Sequence, residues 1–240
     1  MVLVLVSFSV GAQDAKEFIR MAYEKVNGLS SYSEITMQIV RPTWERSVSM
    51  KTWSYGTQYS LVYVTAPAKE KGQVSLKRDK EMWSWQPSIN KMIKLPPSMM
   101  MQSWMGSDFT NDDLINQASI VNDYTHKILA TEKLNGLDCY KIELIPQLNA
   151  PVVWGKIIAW VSIEEQHMFC TEYYDEDDYL IKTELAEDIK TMDGKEITTK
   201  FTTIPEDNPG NKTIMTMENI DFNIDVNEDY FSQQNMKRIR

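Results

Sequence analysis

The chain has 240 residues, of which 25 are basic and 34 acidic, giving a formal net charge of −9. Hydrophobic residues make up 42% and aromatic residues 10%, which excludes an intrinsically disordered chain and predicts a sizeable core. The sequence has no stretch of about 18 apolar residues, so a membrane-spanning helix is excluded. It also has no cluster of basic residues of the kind that binds nucleic acid.

The first twelve residues form an apolar run that ends in small residues. Val10 and Ala12 lie three and one residues before a predicted cleavage point, as in a secretory signal peptide. The usual positively charged segment before the run is missing, so a buried strand is the alternative interpretation. We therefore expect an exported protein, with a signal-peptide remnant at residues 1–12 and a single domain over residues 13–240.

A helix is predicted for residues 14–27, because Ile19, Ala22, Tyr23 and Val26 recur at helical spacing before Gly28. After it the apolar period changes to two, which is typical of strands. Strands are predicted at residues 32–40, 45–54, 58–65, 74–86, 90–95, 124–133, 139–145, 155–163, 168–175, 179–189, 196–204 and 212–222. The pair Asp193-Gly194 predicts a type I′ hairpin turn.

A helical segment is predicted to interrupt the strands after Pro96 and Pro97. Ser98 is expected to begin a short helix that carries Met101, Trp104 and Met105 on one face and ends at Gly106. Residues 110–113 then resemble a capping box in which aspartate replaces the usual glutamate, which predicts a second helix start.

An antiparallel sheet of eleven or twelve strands must curl on itself. The predicted fold is therefore mainly β with a few helices: a strongly curved antiparallel sheet, or half-open barrel, covered by helices around a hydrophobic cavity.

The two cysteines, Cys139 and Cys170, fall in predicted strands with another predicted strand between them. In a meander they would lie about 9–10 Å apart, which is too far for a disulfide. Two free thiols are predicted.

The sequence offers little that catalysis or metal binding requires. His126 and His167 have no carboxylate or cysteine at metal-ligand spacing, and no phosphate-binding loop or nucleophile elbow is present. The acidic run at residues 175–178 lacks EF-hand spacing and is interpreted as a solvated turn. No catalytic residue, metal site or cofactor is predicted.

Methionine and tryptophan are concentrated in one part of the chain. Six of the 15 methionines fall within residues 82–105, and five of the seven tryptophans lie between residues 44 and 104. Methionine adapts to variable apolar partners and tryptophan supplies a large apolar surface, which favours a lipid-accepting cavity over these residues simply filling the core. The predicted wall and lid residues are Trp53, Trp83, Trp85, Met100, Met101, Trp104, Met105 and Phe109.

Several stretches resemble the exported outer-membrane lipoprotein-sorting proteins. They include residues 41–44, 50–53, 66–72, 82–87, 93–96, 99–110, 153–156, 173–175 and 229–232, and the part reading Met-Gly-Ser-Asp-Phe-Thr is the most specific. The resemblance implies a fold like that of the periplasmic lipoprotein carrier LolA, whose curved half-barrel encloses a hydrophobic cavity. Arg41 is the candidate counterpart of that carrier's lid-fastening arginine.

The resemblance also implies a non-catalytic periplasmic protein that binds a lipid or lipoprotein acyl chain and transfers it to or from a membrane partner. The longer relatives accompany large permeases, so an inner-membrane permease or transporter is the implied partner, and a monomer is expected. Three alternatives are open: a lipid or lipoprotein sensor of the same fold, a hydrolase of envelope lipids, and a β-protein with a filled interior.

Overall fold

The computed structural model describes residues 10–116, 119–150 and 152–239, which contain four α-helices and thirteen strands. The helices are α1 (Val10–Asn27), α2 (Asn111–Asn116), α3 (Ser119–Asn122) and α4 (Gln233–Met236). The strands are β1 (Ser30–Arg41), β2 (Trp44–Tyr55), β3 (Tyr59–Ala66), β4 (Val74–Arg78), β5 (Glu81–Gln86), β6 (Lys91–Lys94), β7 (Tyr124–Leu134), β8 (Leu137–Pro146), β9 (Lys156–Ser162), β10 (Met168–Tyr174), β11 (Leu180–Met192), β12 (Lys195–Pro205) and β13 (Lys212–Phe222).

The helices of this described part are all too short or too polar to cross a membrane. Helix α1 begins at Val10, four residues before its predicted start. The predicted signal-peptide remnant lies, up to residue 9, outside the described residues.

All thirteen strands of the described chain form one antiparallel sheet in the order β6-β5-β4-β3-β2-β1-β13-β12-β11-β10-β9-β8-β7. Neighbours in the sheet are neighbours in sequence except at the centre, where β1 pairs with β13. The two edge strands, β6 and β7, are therefore consecutive along the chain. Residues 95–123, which join them, have to pass from one edge of the sheet to the other.

The sheet is strongly curved. Val62 of β3 and Tyr173 of β10 line the same cavity, although β10 is the sixth strand along from β3. In a flat sheet this separation would be about 29 Å, because neighbouring strands lie about 4.8 Å apart. The sheet does not close, since β6 and β7 are its edges, and the predicted half-open barrel is confirmed.

The strand predicted for residues 74–86 is in fact a hairpin. Asp79 takes a φ of 54°, and the chain turns so that Arg78 pairs with Glu81. The turn lacks glycine and is flanked by strand-forming residues, so the period-two pattern runs through it. The predicted turn at Asp193-Gly194 is confirmed, with φ values of 44° and 75°.

The helix predicted to begin at Ser98 is wrong. A 3₁₀ turn at Pro97–Met99 is followed by an irregular loop, in which Ser103 and Thr110 form an isolated bridge. The loop reverses because Met105 and Gly106 both take positive φ, and the Trp104 amide donates to the Phe109 carbonyl at 2.7 Å. Pairing across this reversal replaces the hydrogen bonds that a helix would need.

The capping box after this loop is confirmed. The Thr110 amide donates to Asp113 Oδ2 at 2.7 Å, and the Asp113 amide donates to Thr110 Oγ1 at 3.1 Å. Helix α2 begins there and carries Asp113 in its first turn.

The two faces of the sheet are covered by different parts of the chain. On the inner face, the predicted apolar stripe of α1 packs on β7 to β10, and the segment 95–123 packs on β1 to β3 and β5. On the outer face, the C-terminal residues Phe231, Met236 and Ile239 pack over β3 and β4. A hydrophobic core therefore lies on each side of the sheet.

Both cysteines are free, as predicted. Cys139 of β8 pairs with Ser162 of β9, and Cys170 of β10 pairs with Trp160 of the same β9. One strand thus separates the thiols.

Substitution of Gly155 should test the close packing of the chain just before β9 against the backbone of Asp175. A Cβ at this position would lie 2.4 Å from the Asp175 carbonyl oxygen, which is backbone and cannot rotate away. We expect Gly155→Ala to lower the free energy of unfolding by about 2–4 kcal/mol, as for other strained replacements. Gly136→Ala is the control, because Gly136 has positive φ but open space around it. A loss no larger than the control's, measured by urea unfolding, would contradict the packing described.

Candidate functional site

A cavity of about 330 Å³ lies between the inner face of the sheet and its covers. Its lining comes from α1, from β1, β2, β3 and β7, from β9 to β13, and from the segment 95–123. Its volume lies within the range of cavities that hold small organic ligands.

The cavity exists because several inner positions carry small side chains. Ser33 of β1 pairs with Thr52 of β2, and Ala186 lies across the cavity on β11. Larger side chains at such positions would meet across the bent sheet. The apolar part of the wall includes Ile35, Met50, Val62, Met215 and Met217.

Two aromatic residues of the segment 95–123 close the cavity on its open side. Trp104 and Phe109 are both buried and both line it. The indole nitrogen of Trp104 donates to Ser75 Oγ on β4 at 3.4 Å, which ties the segment to the inner face of the sheet.

A buried ion pair holds this part of the segment against the end of β1. Arg41 Nη1 lies 3.0 Å from Asp108 Oδ2, and Arg41 Nη2 donates to the Gly106 carbonyl at 3.0 Å. Asp108 also accepts from Thr213 Oγ1 at 2.7 Å. Arg46 of β2 donates to the Met105 carbonyl beside it. The two arginines therefore hold the loop through two of its backbone carbonyls and through the Asp108 carboxylate.

Three of the eight predicted site residues, Trp53, Trp104 and Phe109, line the cavity, but the side chain of Trp53 lies on the other face of the sheet. Trp104 and Phe109 close it, whereas the ring of Trp53 packs between Tyr32 and Tyr230 on the outer face. The alternation of β2 places Thr52 and Ser54 on the inner face, and the Trp53 ring lies on the opposite face.

The prediction that Trp83 and Trp85 line the cavity needs correction. Both lie on the outer face of β5 and pack against the cluster that includes Phe231 and Met236. Residues two apart on a strand share a face, so the two tryptophans lie together, and the C-terminal residues that cover this face make it the outer one. Met82 is the β5 residue that packs inside, in the cluster containing Trp104.

The three predicted methionines are not among the residues that line the cavity. Met100 and Met105 pack against the inner core cluster, and Met101 is 52% exposed. Because residues 100–105 lie in a loop, these methionines do not share the helix face that their spacing predicted. The methionines that do line the cavity, Met50, Met168, Met215 and Met217, lie on strands.

A polar cluster at one end of the cavity was missed by the sequence analysis. Lys182 of β11, 3% exposed, lies 2.8 Å from Asp113 Oδ2 and 3.0 Å from Glu184 Oε1. Its ammonium group also lies over the rings of Tyr173, Trp154 and Phe109, at 4.4, 5.2 and 5.6 Å from their centroids. The capping box thus aims Asp113 at this lysine.

The charges in this cluster depend on one another. Burial by itself lowers the pKa of Lys182, but the Glu184 and Asp113 carboxylates more than offset it and raise that pKa. Burial, with Glu184 next, raises the pKa of Tyr173 well above its usual value, and the Tyr173 hydroxyl donates to Glu184 Oε2 at 3.2 Å. Lys182 is therefore charged and Tyr173 neutral at neutral pH.

One signal could have found this cluster. Thr171 and Tyr173 on β10, and Lys182, Glu184 and Ala186 on β11, recur at a spacing of two, so each set shares a face. Lys182 thus shares a face of β11 with Ala186 and pairs with Tyr173 of β10, a combination that is unusual for a solvent-exposed face and could have indicated a buried lysine. The sequence does not state which face is buried, because charged residues normally indicate the exposed one.

The two histidines have structural surroundings. His126 Nε2 hydrogen bonds to the Ile120 carbonyl at 2.6 Å, and burial lowers the pKa of both imidazoles. Among the described residues, no group of three histidine, cysteine or acidic side chains could hold a metal ion.

Residues 56–238 match the model of a protein family, described as an uncharacterized protein. The chain belongs to this family. That description assigns no activity, and no curated protein matches the sequence.

Solved structures of similar proteins show the fold. A DUF1329 family protein from Desulfovibrio piger superposes with a TM-score of 0.84 at 23% identity, covering 94% of this chain and 99% of that one. An outer membrane lipoprotein-sorting protein domain from Vibrio parahaemolyticus gives 0.81 at 19% identity, over 95% and 100%. A LolA superfamily protein from Nitrosomonas europaea gives 0.79 at 23% identity, over 95% and 100%. The LolA-like fold implied by the sequence resemblance is confirmed.

Replacement of Lys182 should test the polar cluster. Lys182→Met keeps most of the length of the side chain but leaves the largely buried Asp113 and the partly buried Glu184 without their cation, so we expect a loss of about 3–5 kcal/mol in unfolding free energy. Lys200→Met is the matched control, because Lys200 pairs with Glu187 at 3.1 Å near the surface and should contribute under about 1 kcal/mol. Equal losses in the two variants, by urea unfolding at pH 7, would show that the cluster is not a coupled buried unit.

Proposed function

We propose that this protein binds a lipid or lipoprotein acyl chain in the cavity and transfers it to or from a membrane partner, without catalysis. The observation that carries the proposal is the cavity itself, enclosed by the curved sheet, α1 and the segment 95–123. The names of the Vibrio and Nitrosomonas relatives, a lipoprotein-sorting protein domain and a LolA superfamily protein, support the same class of cargo.

The chemistry of the wall suits a carrier. Methionine side chains at positions 50, 215 and 217 can repack when an alkyl chain enters or leaves, because thioethers are flexible and polarizable. No covalent step is required, and the buried Lys182 is paired with carboxylates that keep it protonated and therefore poorly nucleophilic.

Energetics require an apolar acceptor for release. At about 0.8 kcal/mol per buried methylene, a chain of roughly 16 carbons gains about 12 kcal/mol in gross burial. Escape into water would therefore be slow. We propose that a membrane or an inner-membrane permease or transporter receives or supplies the chain, that transfer takes place in the periplasm, and that the carrier acts as a monomer.

A filled cavity is the sharpest test of binding. Ser33 points into the cavity, whereas its neighbour Glu34 is exposed on the other face of β1. We expect Ser33→Phe to lower the affinity for the neutral dye N-phenyl-1-naphthylamine at least about tenfold, because the ring occupies the cavity. The affinity for monopalmitoylglycerol, measured by displacement of the dye, should fall by at least the same factor. Glu34→Phe should leave both unchanged. Equal effects of the two variants, or none from Ser33→Phe, would exclude this cavity as the binding site.

The fastening of the segment 95–123 should control how fast cargo enters. Arg41→Leu removes the ion pair to Asp108 and the hydrogen bond to the Gly106 carbonyl. We expect faster dye entry in stopped-flow fluorescence, by about fivefold or more, with faster amide exchange at residues 104–110. Arg20→Leu is the control, since Arg20 pairs with Glu17 and Glu24 on the exposed face of α1. Unchanged entry in Arg41→Leu would mean that cargo takes another route.

Transfer distinguishes a carrier from a sensor of the same fold. Labelled lipid should move from donor to acceptor vesicles at a rate that increases with protein concentration. A protein that binds the lipid and retains it would instead be a sensor.

A further inference from the structure

The polar end of the cavity is acidic. Asp112, Asp113 and Glu184 line it, and among the described lining residues there is no lysine, arginine or histidine. Lys182 pairs with Asp113 at 2.8 Å and with Glu184 at 3.0 Å. These two carboxylates carry one more negative charge than the Lys182 ammonium group balances, so the net charge beside the cavity is negative.

The Tyr124 hydroxyl faces this end of the cavity without a partner. Tyr124 lines the cavity, is 1% exposed, and its hydroxyl makes no hydrogen bond within the described residues. Burial, with the charges of Asp112, Asp123 and Asp113, raises its pKa, so the phenol keeps its proton and is a hydrogen-bond donor. Buried hydroxyls are normally paired, because an unpaired one costs free energy.

An uncharged ligand group that accepts a hydrogen bond fits both the unpaired Tyr124 hydroxyl and the negative charge beside it. A carbonyl oxygen can accept from Tyr124, and the amide N–H or free hydroxyl next to it can donate to a carboxylate oxygen. A carboxylate or phosphate head would instead be repelled by this net negative charge, and no cationic side chain is among the described lining residues.

We propose that Tyr124, Asp112 and Glu184 form a subsite for the neutral ester or amide linkage of an acyl cargo, and that this subsite rejects free fatty-acid anions. The inference rests on the proposed function and specifies the chemical class of its cargo.

The test compares three ligands with the same C16 acyl chain at pH 8: monopalmitoylglycerol, N-palmitoylethanolamine and palmitate. Each displaces N-phenyl-1-naphthylamine from the protein. We expect the ester and the amide to bind at least about tenfold more tightly than palmitate, and their relative order identifies which linkage is preferred. Palmitate binding as tightly as the neutral ligands would overturn the proposal. If none of the three displaces the dye, the proposed function fails and this inference fails with it.

The variant Tyr124→Phe separates recognition from folding. It removes a hydroxyl without a protein partner, so the melting temperature should be equal to or higher than that of the unmodified protein. Affinity for the ester and amide should fall about five- to tenfold, the value of one hydrogen bond, with dye affinity unchanged. Tyr32→Phe is the control, because its hydroxyl donates to Glu34 on the outer face at 2.6 Å. Unchanged ester and amide affinity in Tyr124→Phe would overturn the role assigned to Tyr124.

Discussion

The path of the chain between the two edges of the sheet determines this architecture. Because β6 and β7 are edge strands and also consecutive in sequence, residues 95–123 must cross the open side of the bent sheet. A segment in that place covers whatever the inner face leaves unfilled. The cover is thus a consequence of strand order, and its attachment to Arg41 and Ser75 determines how closely it lies over the cavity.

The inner face combines large and small side chains in a way that leaves space. Where α1 packs on β7 to β9, isoleucine and leucine fill the interior, as in an ordinary core. Near the centre of the sheet, serine, threonine and alanine occupy inner positions, and the opposite walls do not meet. Filling such a space would normally stabilise the fold, because interiors pack densely. The unfilled space therefore costs stability, and the proposed binding of an acyl chain gives it a role.

The polar cluster shows how local sequence signals and tertiary structure combine. The capping box of α2 fixes Asp113, and the alternation of β11 places Lys182 and Glu184 on one face. Neither signal by itself predicts a buried ion network. The two elements are far apart in sequence and meet because the segment 95–123 lies on the inner face of β11, so a lysine beside the cavity becomes a positioned and charged group.

The sequence by itself determined the mainly antiparallel β fold, nearly every strand, the turn at Asp193-Gly194, the free thiols and the LolA-like resemblance. These follow from periodicity, turn chemistry and motif, which are local. It did not determine that residues 98–106 form a loop, because the competing pairing of Trp104 with Phe109 is a tertiary choice. Alternation along β5 puts Trp83 and Trp85 on the same face of the sheet, but it does not say whether that face is the inner or the outer one. Period two gives two equivalent faces, and only the packing of Phe231 and Met236 against one of them decided which was outside.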